Sequence, residues 1–156
     1  MSSRFKLTEP KLSSILDRLL PRKIHARQLL CVSEDAVWQW LRKGECPAGP
    51  VSIVLSALGK EDQPQYHARR IACTVRELSV ESSESAFWLR MVIKETGLQI
   101  PQFAALIQRG TVAVYEWLKQ GIVPSTTSML LVMIDEGMIL PEDLEDPRCL
   151  LEPNQC

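Results

Sequence analysis

Val37-Trp38-Gln39-Trp40-Leu41-Arg42-Lys43-Gly44-Glu45-Cys46-Pro47 is answered 77 residues later by Val114-Tyr115-Glu116-Trp117-Leu118-Lys119-Gln120-Gly121-Ile122-Val123-Pro124. Over the 22 ungapped positions that pair residues 26–47 with 103–124, seven are identical: Leu29/Leu106, Ala36/Ala113, Val37/Val114, Trp40/Trp117, Leu41/Leu118, Gly44/Gly121 and Pro47/Pro124. Leu12/Leu89, Ile15/Val92 and Leu16/Ile93 keep the same offset upstream. A repeat of this length is the mark of one structural unit used twice.

Each unit reads as helices. Leu12, Ile15, Leu16, Leu19 and Leu20 form the i, i+3, i+4, i+7, i+8 stripe of an amphipathic helix, with Thr8 as its expected N-cap and Pro21 as its stop. A second helix is expected from Ile24 to Cys31, and a third, capped by Ser33, from Glu34 to Lys43, ending at Gly44. A fourth spans about Val51 to Leu58, and Gln65 to Leu78 carries another helical stripe. The second unit follows with helices at Ala86–Thr96, Pro101–Gln108, Thr111–Gln120 and Ser125–Asp135. No alternating apolar and polar run suggests a strand, so the expected fold is all-α, with two repeated helix-turn-helix domains of four to five helices each. The expected boundaries are 1–79 and 86–140, joined by a Ser- and Glu-rich linker at 80–85 and followed by a loosely ordered, acidic, Pro-containing tail at 141–156.

Composition narrows the class. The chain has 156 residues, 46% of them hydrophobic and 24% charged, which fits globular units with buried cores. No apolar run approaches the roughly 18–20 residues that span a bilayer, and the polar start is not a signal sequence, so a cytoplasmic protein is expected. Five cysteines without a Cys-x-x-Cys pair, and only His25 and His67, offer no zinc-ligand spacing; thiols rather than disulfides are expected. There is no Gly-rich phosphate loop, nucleophile elbow or paired-acid motif, so neither catalysis nor a cofactor or metal is expected.

The spacing Val-x-x-Trp-x-x-x-Gly-x-x-Pro at Val37–Pro47 and Val114–Pro124 resembles the Cro-like (lambda-repressor-like) helix-turn-helix family, in particular small phage and mobile-element regulators. About 50 residues of each unit share the resemblance. The family has Ala in the middle of its second helix and Gly at the turn. Here those places hold Arg27 and Cys31 in the first unit, and Ala104 and Gln108 in the second. The resemblance implies a DNA-binding transcriptional regulator whose third helix enters the major groove. Base-edge candidates are then Ser33, Glu34, Asp35, Trp38 and Gln39, with Gly110, Thr111, Val112, Tyr115 and Glu116 in the second unit. Phosphate contacts fall to Arg22, Lys23, His25 and Arg27, to Arg42 and Lys43, and to Lys119.

Charge separates the two units. Residues 1–45 carry nine Lys/Arg against five Asp/Glu, whereas residues 86–156 carry five against nine. The first unit suits a polyanion and the second repels one. Double-stranded DNA is therefore the expected partner of the first unit, and dimerisation or a protein partner the expected use of the second. The competing reading makes the whole chain a protein-interaction module on a degenerate helix-turn-helix scaffold, binding a transcription factor, polymerase subunit or host protein. Trp38 and Tyr115, exposed aromatics in matching positions, serve either reading. Leu131 and Met133, in the apolar run Leu130–Ile134, are candidate partner contacts on a dimer or interdomain surface.

Overall fold

In the computed structural model, which describes residues 5–78 and 82–151, with the side chains of 82–85 left aside, the chain is all-α. The first half holds α1 (Lys11–Leu19), a short 3-10 turn (Lys23–His25), α2 (Ala26–Leu30), α3 (Glu34–Lys43), α4 (Pro50–Gly59) and α5 (Pro64–Leu78). The second holds α6 (Ser82–Thr96), α7 (Ile100–Leu106), α8 (Thr111–Gln120), α9 (Ser125–Asp135), α10 (Pro141–Glu145) and α11 (Arg148–Leu151). Shifting α3 by 77 residues gives the bounds of α8, and Pro64 at the head of α5 falls on Pro141 at the head of α10.

The stops of α3 and α8 show why the register survives. Gly44 (φ 77°) and Gly121 (φ 76°) both adopt the left-handed conformation and donate their N–H to the carbonyls of Trp40 and Trp117, each at 2.8 Å. A side chain there would be strained, so the repeated glycine ends both helices at the same residue. The start is less symmetrical. The Ser33 hydroxyl accepts the Ala36 N–H at 3.1 Å, whereas Gly110 leaves α8 without a side-chain cap.

Several local expectations change. Thr8 is not the N-cap of α1. It forms an isolated antiparallel bridge with Glu45, while the Glu9 carboxylate accepts the Ser13 N–H at 2.6 Å. The segment before α1 lies along the loop after α3, with Cys46 N–H donating to the Leu7 carbonyl at 2.9 Å. Residues 82–85, expected as linker, already belong to α6; residues 80 and 81 of the expected linker lie outside the described residues. The acidic tail is not loose between 141 and 151: α10 and α11 bury Leu144 and Leu150, and α11 packs on α4. Cys149 is disulfide-bonded rather than a thiol.

The hydrophobic core runs without a break through both halves. Its centre is the packing of α4 on α9. The fifth-helix elements then cross over reciprocally: α5 packs on α9 and α11 on α4. Leu131 and Met133 are fully buried on α9, so they belong to this internal seam. Of the two surfaces expected for them, dimer or interdomain, this burial matches the interdomain one and leaves them no contact with a separate partner. Arg70 on α5 grips the Glu136 carboxylate at the end of α9, with Nη1 2.7 Å from Oε2. Trp40 meets Thr126 and Met129 of α9 around a gap of about 10 Å³, too small for a ligand.

Gly49, the residue before α4, brings the backbone of the first half close to that of the second. It has φ 106° and ψ −143°, and a Cβ there would stand 3.1 Å from the Ile107 carbonyl oxygen. Gly49→Ala is expected to lower stability by about 1–3 kcal/mol, whereas Gly110→Ala, with open space around it, stays within about 0.5 kcal/mol; thermal unfolding of both variants checks this.

Burial pushes the Cys46 thiol from its ordinary 9.0 up to about 12. The unfolded chain therefore releases this proton before the folded one. The resulting stability is fully present below pH 9 and drains away as pH rises toward 12. In urea titrations, wild type should lose stability faster than Cys46→Ala across that window, with a constant gap between them below it. Parallel curves throughout contradict the assignment.

Candidate nucleic-acid interface

The α2–α3 pair is joined by Cys31, Val32 and Ser33. Cys31 sits in the left-handed region at φ 57°, and Gln108, its counterpart 77 residues on, does the same at φ 60°. These are the only non-glycine residues with positive φ among the described residues, and both stand where the sequence resemblance puts the turn glycine. Each tolerates strain on the order of 1 kcal/mol. Gln108 adds a second penalty, because its side-chain carbonyl oxygen is buried without a hydrogen-bond partner.

Packing decides which side of α3 is presented. Val37 and Trp40 turn inward and are buried. Glu34, Asp35, Trp38, Gln39, Arg42 and Lys43 remain exposed, with Trp38 45% accessible. Two candidate base readers are engaged with each other: Trp38 Nε1–H donates to Glu34 Oε2 at 3.1 Å. Ser33 is committed as the helix cap. Glu34 and Asp35 lie in the first turn, where carboxylates offset the helix dipole, and Arg42 and Lys43 lie in the last, where cations do. The polar side chains left facing outward with no partner among the described residues are Asp35 in the first turn, Gln39 at mid-helix and Arg42 and Lys43 at its end.

The cluster preceding α2 divides. Arg22, His25 and Arg27 are exposed. Lys23 is not part of that surface, because its ammonium donates to the Leu20 carbonyl at 3.0 Å and pairs with Asp17 Oδ1 at 3.3 Å, leaving its side chain 13% exposed. Its role as a phosphate contact is corrected to an internal tie between α1 and the chain leading into α2. Sequence reading also missed Arg76. This α5 residue reaches α2 and donates to the Gln28 carbonyl at 3.3 Å. The amphipathic stripe of α5 announces a helix, but not which neighbour its arginines meet.

The second unit keeps the scaffold and changes the surface. Val114 and Leu118 are buried and Trp117 is half-buried. Outward stand Val112 (74% exposed), Tyr115 (51%) and, after the helix, Ile122 (64%). Their counterparts in the first unit are Asp35, Trp38 and Glu45. Thr111 is half-buried at the first position of α8, Lys119 is exposed in its last turn, and Glu116 accepts from Gln120 Nε2 at 3.0 Å. No arginine stands on α8.

Replacing Gln108 by glycine removes both the left-handed strain and the unpartnered buried oxygen. Gln108→Gly is expected to raise stability by about 0.5–1 kcal/mol in chemical denaturation; a loss of stability contradicts this account of the turn. Family models, curated proteins and solved structures yield no match to the chain, so the reading of this surface rests on its own residues.

Proposed function

We propose that this chain is a sequence-specific DNA-binding transcriptional regulator, related in design to Cro-type repressors, that engages duplex DNA mainly through its first helix-turn-helix unit. The observation that carries the reading is the exposed, unengaged set Gln39, Arg42 and Lys43 on α3 beside exposed Arg22, His25 and Arg27 before and within α2. Glutamine is a bidentate partner for adenine in the major groove. The cations at both ends of the α2–α3 pair suit phosphates on either side of that groove.

In this reading α3 carries sequence discrimination through Gln39 and the Trp38 ring, the latter against thymine methyl groups. The second unit serves chiefly as the scaffold that completes the core. Its apolar outer face, Val112, Tyr115 and Ile122, favours a protein contact over phosphates. The alternative reading, a protein-interaction module throughout, draws on that same face but leaves the first unit's free cations without a use.

Titration of a fluorescent duplex from the sequence upstream of the protein's own coding region tests the proposal at moderate salt. Arg22→Ala/Arg27→Ala is expected to weaken binding roughly tenfold or more and to reduce the slope of log affinity against log salt by about two. Tyr115→Ala/Lys119→Ala is expected to change affinity by no more than about twofold. Unchanged affinity in the arginine variant, or absence of binding by wild type to any fragment, overturns the proposal.

A further inference from the structure

An open groove of about 810 Å³ lies between α2, α5 and the start of α9. Arg27 and Cys31 line it from the α2 side, Arg69, Cys73 and Arg76 from α5, and Ser125 from α9. Arg69, Cys73 and Arg76 are spaced i, i+4, i+7, so α5 presents them as one stripe. The neighbouring Arg70 points elsewhere and is neutralised by Glu136. Arg76 is held in place by the Gln28 carbonyl and by Cys73 Sγ at 3.4 Å. Among the described residues, the side chains of Arg27 and Arg69 make no hydrogen bond or ion pair, and no carboxylate lines the groove.

Three guanidinium groups around one opening, without a counter-charge, repel each other until an anion arrives. Their planar forks match phosphate oxygens in a bidentate manner. The lining carries three cations and no large apolar side chain to anchor a hydrophobic peptide. Arg27 belongs both to this groove and to the basic start of α2. A phosphate tract held at Arg22, His25 and Arg27 is therefore continuous with one at Arg76 and Arg69.

We propose that the Arg27–Arg69–Arg76 groove binds the phosphodiester backbone of the duplex held by α3, extending the contact beyond the helix-turn-helix pair. This assignment rests on the DNA-binding reading above. It gives α5, a helix outside that pair, a direct part in affinity but none in sequence discrimination.

Two measurements on the full chain test it. First, Arg69→Gln, at an exposed position, is expected to weaken binding of the upstream duplex by roughly 3- to 10-fold and to lower the salt slope by about one. The loss should be equal on matched and scrambled duplexes, and Arg69→Lys should recover part of it. Second, maleimide labelling of Cys73 in the wild-type protein should slow at least several-fold when the duplex is saturating. If wild type binds the duplex but Cys73 is labelled at its free rate and Arg69→Gln binds normally, the groove assignment falls while the α3 reading stands. If polyglutamate competes as well as the duplex, the groove belongs to acidic proteins and the assignment falls. If wild type binds no duplex at all, both readings fall together.

Discussion

The packing of α4 against α9 is the constraint on which the rest of this molecule depends. Ile53, Leu55, Ala57 and Leu58 on α4, and Leu130, Leu131 and Met133 on α9, are all but fully buried. Neither helix can be covered that thoroughly by its own unit, because an amphipathic surface helix needs only one apolar face. Each fourth helix is roofed by the other copy, and by the fifth-helix elements that cross between them. The two repeats are thus a fused pair sharing one core. The turn at Gln108 abuts Gly49, and the turn at Cys31 shares a groove with Ser125.

The packed positions and the outer surfaces of the two copies are under different physical demands. Once both copies contribute to one core, the residues that pack are held in both, as with Val37/Val114 and the stop glycines Gly44/Gly121. Outward positions carry no such demand. Asp35 corresponds to Val112 across the register, and Trp38 to Tyr115, all four exposed. The proposed division of labour, with a polyanion at the first unit and a scaffold or protein contact at the second, assigns each surface the partner its charge allows.

Much of the architecture is legible in the sequence because the signals are local. Gly44 and Gly121 mark helix ends by the backbone conformation they alone adopt cheaply, and the 3.6-residue period marks the buried stripes. The continuous run Leu130–Ile134 even announces a helix covered on several sides. What covers it is a tertiary fact, so Leu131 and Met133 read equally well as an outer surface until α4 and α5 are seen on them. Lys23 shows the same limit at the site: a lysine in a basic cluster looks free until Asp17 and the Leu20 carbonyl claim it. Pro141, Pro147 and a run of acids suggest a loose tail, yet Leu144 and Leu150 find room in the core and order it. The arginines of α5 are plain as residues, but their meeting with α2 depends on how the helices cross.

The central proposal is that duplex DNA is engaged mainly by the first unit. Backbone amide shifts of the isotope-labelled chain, followed by NMR during titration with the upstream duplex, test it most directly. The account predicts perturbations concentrated at residues 22–27 and 33–43, with further shifts at 69–76 and residues 110–122 unmoved. Perturbations centred on α8, or none anywhere at saturating duplex, would contradict it.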